Sequence, residues 1–144
     1  MGEKYPLEPV QSLRHAEVEA AEQDLAQFQT ALSEARARLE QAVRALEHHR
    51  EGSDAAERRA PSSSGPHTGQ DLIQHGEHTE QRRERDNALD REVDHAREAV
   101  RAAEKAAERA RAALGEAHTR EKVVDRHREK WEHAQPPAGE HEEP

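Results

Sequence analysis

The chain has 144 residues, of which 37% are charged and 32% hydrophobic, with a single Trp, Tyr, Phe and Met and a formal net charge of −9. Many of the hydrophobic residues are alanines, and at about 25 cal/mol per Å² of apolar surface such side chains cannot offset the ordering entropy of a thick multilayer core. What remains is either a thin structure of long helices packed along one seam or disorder, and an enzyme cleft walled by a packed scaffold is close to excluded.

Residues 1–8 form a short lead carrying Tyr5, Pro6 and Leu7. A first helix is expected over residues 9–60. Pro9 suits its first turn, where a missing N–H costs nothing. Residues 10–50 contain no Gly or Pro and are rich in Ala, Leu, Glu, Gln and Arg, the strong helix formers. Gly52, Ser53 and Asp54 weaken the helix, and residues 54–60 can continue it. Residues 61–70 form a loop, because two prolines, two glycines and a serine run break any helix there. A second helix is expected over 71–134, weakened by Gly76 and tolerating Gly115. Pro136 and Pro137 end it, and residues 135–144 are expected to be a disordered acidic tail.

The apolar period says what these helices do. Leu25, Phe28, Leu32, Ala35, Leu39, Ala42 and Leu46 alternate at spacings of three and four, which is a heptad seam. Extended backwards, the seam takes Ala21 and Val18 and then meets Arg14 and Gln11. Leu7, Val10 and Leu13 form a second stripe, out of phase with the first. In the second helix Leu89, Val93, Ala96, Val100, Ala103, Ala107, Ala110, Leu114 and Ala117 keep the rhythm, which passes Glu121 and reaches Val124, Arg128 and Trp131. Two such helices joined by a polar loop read as an all-α antiparallel coiled-coil hairpin, the 41-residue stretch 10–50 of the first helix being about 60 Å long at 1.5 Å per residue. A parallel dimer of extended chains is the competing arrangement.

Charge is distributed unevenly: −3 over residues 1–50, −4 over 51–80, +1 over 81–134 and −3 over 135–144. Interleaved signs give a phosphate backbone no continuous basic stripe, so nucleic-acid binding is not expected. There is no cysteine, hence no disulfide framework and no thiolate metal site, in mild accord with a reducing compartment. The opening residues lack the apolar run of a secretory signal, and Pro6 stands where N-myristoylation wants Ser or Thr. No run of eighteen apolar residues occurs, so direct membrane insertion is not expected and the expected location is the cytoplasm.

Eleven histidines raise a metal-sequestration reading, with His48–His49 adjacent and His75 and His78 one helical turn apart, near Asp71 and Glu77. The plain reading is a set of solvated polar positions, and neither a metal nor a cofactor is expected. Carboxylate pairs on a solvated helix face have nothing to raise a pKa or exclude water, and no phosphate loop, GxSxG elbow or Rossmann fingerprint is present, so no catalytic residue is assigned. More informative are apolar residues that the seam leaves over. Tyr5, Leu7, Val10, Leu13, Val123, Val124 and Trp131 gather at one end of the hairpin, with Leu72 and Ile73 at the other. They read either as end caps of a fraying coiled coil or as docking surfaces.

The opening Tyr5-Pro6-Leu7-Glu8-Pro9-Val10-x-x-Leu13-Arg14, followed by a Glu/Ala/Gln-rich helix, resembles the N-terminus of the FliJ proteins of flagellar export and of their injectisome relatives, the YscO (SctO) proteins. The close of the second helix, Glu121-Lys122-Val123-Val124-Asp125-Arg126-His127-Arg128-Glu129-Lys130-Trp131, resembles the basic end of their second helix. The resemblance implies a non-enzymatic cytoplasmic stalk at the base of a type III secretion apparatus. Its paired termini would enter a hexameric export ATPase, its bend would touch the cytoplasmic ring of the export gate, and some members bind substrate chaperones. Carried over by position, Leu7, Val10, Leu13, Val124 and Trp131 would contact the ATPase, and Leu72 and Ile73 the gate. A generic self-associating coiled-coil scaffold and the flagellar counterpart of the stalk are the alternatives.

Overall fold

A computed structural model describes residues 3–59 and 69–136. Two helices account for nearly all of them, α1 over Glu8–Arg59 and α2 over Gly69–Ala134, with no strand among the described residues. The helices pack against each other as an antiparallel hairpin. Most of the expected loop, residues 61–68, and the tail from 137 onward lie outside the described residues.

Local chemistry explains the ends. Ahead of α1 the Glu8 amide donates to the Tyr5 carbonyl at 3.2 Å and the Gln11 amide to the Leu7 carbonyl at 2.9 Å, so the lead turns directly into the helix. Pro9 falls in the first turn, and the Glu8 carboxylate suits the positive end of the helix dipole. α2 takes in Gly69 and Gln70 and carries Asp71 in its first turn. At its far end the Gln135 amide donates to the Glu132 carbonyl at 3.3 Å, and Pro136 follows, which has no N–H to continue the ladder. Gly52, Gly76 and Gly115 interrupt neither helix, and no glycine among the described residues adopts a positive φ.

The structure divides into two compact units. Among the described residues one consists of 3–30 and 104–136, the other of 31–59 and 69–103. In the second unit Leu46, Leu89 and Val93 form a buried cluster, flanked by Leu39, Ala42 and Val43. Leu32 and Val100 are half-buried on the same seam. Past Leu46 the facing positions turn polar. Arg50 pairs with Asp86 at 3.2 Å and Asp90 at 3.7 Å, and His49 Nε2 donates to the Arg82 carbonyl at 3.1 Å. Ser53, Thr79, Arg82 and Asp86 then line an open polar groove.

In the unit that holds both termini the α2 seam is mostly alanine. Ala107, Ala110 and Ala117 are buried, and Leu114 on α2 and Leu25 on α1 are half-buried. Small side chains let helix axes come close, which leaves little room for a phenyl ring between them. Phe28, expected inside the seam, is accordingly 41% exposed and lies at its flank.

Candidate docking surface

The candidate surface belongs to the unit with both termini, and a ring cluster fixes its geometry. Tyr5 precedes α1, yet it is 3% exposed. Its ring lies 5.4 Å from that of Trp131, inclined at 56°, and 5.7 Å from that of His127. Its hydroxyl hydrogen-bonds Nδ1 of His127 at 2.7 Å, and the Arg128 guanidinium stands over its face at 5.5 Å. Tilted rings at this spacing and a cation over a phenol are favourable geometries, so one side chain ties the lead to the last turns of α2. Expected as a leftover apolar residue at the free end, Tyr5 is instead enclosed.

One turn further along, the seam turns polar. The Gln11 side-chain amide donates to Asp125 Oδ1 at 2.8 Å, while its oxygen accepts from the Arg128 guanidinium. His15 Nε2 reaches the same Asp125 oxygen at 3.3 Å and Glu121 at 3.7 Å. Arg14 pairs within its own helix with Glu17 at 3.0 Å, as Arg128 does with Glu132 at 2.9 Å. The hydrogen bond to Glu132 raises the Arg128 pKa above its ordinary value, against a smaller opposing desolvation, so Arg128 stays charged at any working pH. Among the described residues no buried side-chain polar atom lacks a partner.

Beside these partnered, partly exposed polar groups stand apolar side chains that face solvent. Leu7 is 39% exposed, Leu13 55% and Val123 64%. Val10, Val124 and Trp131 are half-buried, with Trp131 held against Tyr5. Of the five residues expected to make the docking contact here (Leu7, Val10, Leu13, Val124 and Trp131), Leu7 and Leu13 offer the most free surface, and on α2 Val123 offers more than its neighbour Val124. In the other unit Leu72 and Ile73 are 62% and 63% exposed on the second turn of α2.

The interhelical partners Gln11, Asp125, Arg128 and His127 were not among the residues expected to matter. The seam phase does mark Gln11 and Arg128 as polar intrusions, which is the signal that finds them. His75 and His78 are exposed, and among the described residues no group of three or more His, Asp or Glu side chains gathers as a metal site. No described helix is long and apolar enough to cross a membrane.

A family model described as YscO-like protein matches residues 2–143. No curated protein and no solved structure matches the chain.

Proposed function

Because the chain belongs to the YscO-like family, we propose that it is a non-enzymatic stalk of a type III secretion export apparatus, docking its terminal end into the hexameric export ATPase. The observation that carries this reading is the exposure of Leu7 just ahead of α1, Leu13 on α1 and Val123 on α2, in the unit closed by the Tyr5–Trp131 pair. Aliphatic anchors on a preorganised helical support are what helix recognition uses, because little side-chain ordering remains to oppose binding. A ring of ATPase subunits surrounding two unlike helices meets a different face at each subunit. Those differential contacts bias the subunits among nucleotide states, which is how an inert helix pair alters turnover.

Leu72 and Ile73 are the residues assigned to the export gate in this reading, since among the described residues they are the large apolar side chains exposed in the other unit. Substrate chaperones are a further class of partner. An injectisome is the favoured setting, in keeping with the family description, and the flagellar apparatus is the alternative. Affinity capture of the tagged full chain from its native lysate tests the reading. A secretion ATPase among the dominant partners supports it, and recovery of only the chain itself favours a self-associating scaffold.

A further inference from the structure

Around Gln11 the helix seams carry little alignment information of their own. In the unit that holds both termini, α2 presents Ala107, Ala110 and Ala117 to the interior. A heptad seam keeps its apolar positions in phase when one helix shifts by a whole heptad against the other. Such a shift moves the helices by about 10 Å. Within this unit it sets alanine against much the same neighbours, so burial of apolar area there separates the two alignments poorly, whereas in the other unit it brings Ser53 to the place of Leu46.

The polar contacts separate them sharply. Arg14–Glu17 and Arg128–Glu132 lie within one helix and survive any shift. Gln11 does not, because it bridges the helices, donating to Asp125 and accepting from Arg128. Shifted by one heptad, α1 brings Val18 to the place of Gln11 and Ser12 to that of Tyr5. Asp125 and Arg128 then face an aliphatic side chain, and Trp131 loses its ring partner. Shifted the other way, Lys4, which precedes α1, arrives where Gln11 stood.

We propose that the Gln11–Asp125–Arg128 layer is the register lock of the unit that holds Tyr5 and Trp131, as the Leu46–Leu89–Val93 cluster and the Arg50–Asp86 pair bear on alignment in the other unit. It selects one alignment of α1 against α2, and with it which side chains from the two helices stand together at the terminal end. A polar layer within a coiled coil fixes alignment at some expense of stability, so its apolar replacement leaves the fold equally or more stable while broadening the alignment. The inference concerns the chain alone and stands or falls separately from the docking reading.

The chain has no cysteine, so introduced pairs report alignment without background. His15 and Glu121 approach to 3.7 Å, so His15→Cys with Glu121→Cys reports the alignment described. Glu22→Cys with Glu121→Cys reports the one-heptad shift. Each pair is placed in the full chain with the native layer, and again with Gln11→Leu, Asp125→Leu and Arg128→Leu together. A short thiol cross-linker is applied at high dilution, and intramolecular product is measured by mass spectrometry beside helicity by circular dichroism. With the native layer the shifted pair stays open; with the leucine layer its product rises at least tenfold at unchanged helicity. A shifted pair that stays open in the helical leucine variant overturns the lock. Gln11→Leu alone, which leaves both charges in place, raises the same product, and no rise in this gentler variant overturns the lock even if the triple variant unfolds.

Discussion

Tyr5 and Trp131 pack ring against ring at a 56° tilt with centroids 5.4 Å apart, joining the lead ahead of α1 to the last turn of α2. They are the only tyrosine and the only tryptophan of the chain. The contact that closes the terminal end is therefore also its own spectroscopic reporter. Tryptophan emission follows this end, while far-ultraviolet circular dichroism follows both helices.

Tyr5→Phe removes the hydroxyl bonded to His127 and keeps the ring. The expected loss is about 1 kcal/mol, the usual net value of one hydrogen bond. Tyr5→Ala also removes the buried ring and costs more. Urea unfolding followed by Trp131 emission checks both, and the alanine variant shows red-shifted emission before any denaturant is added.

In the other unit the energetic weight lies on the Leu46–Leu89–Val93 cluster. Leu89→Ala is expected to cost about 3 kcal/mol, the transfer term plus the cavity left behind. Ile73→Ala, at a side chain 63% exposed, changes stability by no more than about 0.5 kcal/mol. Paired denaturation curves distinguish a seam residue from a surface one.

Gly115 lies inside α2 with nothing within 4 Å of where a Cβ would stand. Gly115→Ala therefore gains helix propensity without a clash and raises stability by about 0.5–1 kcal/mol. Thermal melting reads the gain directly. A loss would mean that the backbone at this position is not that of a regular helix.

The seam was legible because burial follows its three-and-four spacing closely. Gln11, Arg14, Val18, Ala21 and Leu25 on α1, and Leu114, Ala117, Glu121, Val124, Arg128 and Trp131 on α2, are all buried or half-buried, polar members included. Tyr5 was not legible as an interior residue, because it lies ahead of the helix where no periodicity extends. The Gln11–Asp125 bond was hidden for another reason: heptad spacing gives each helix its face but not the alignment of one against the other. Phe28 shows the limit of hydrophobicity as a guide, since an alanine-rich partner seam leaves its ring no space. Propensity marks Gly52 and Gly76 only as weak positions within the expected helices, and α1 and α2 run through them without a break.

Stimulation of the purified cognate secretion ATPase by the full chain tests the docking account most directly. The native chain is expected to raise turnover in a saturable way, and Leu7→Ser with Leu13→Ser is expected to raise the half-saturating concentration at least tenfold, about 1.4 kcal/mol of binding. Both side chains are exposed, so helicity and melting temperature stay unchanged. Leu72→Ser with Ile73→Ser, in the other unit, leaves the stimulation intact. A native chain that fails to stimulate, or a Leu7/Leu13 variant that stimulates as the native chain does, contradicts the account.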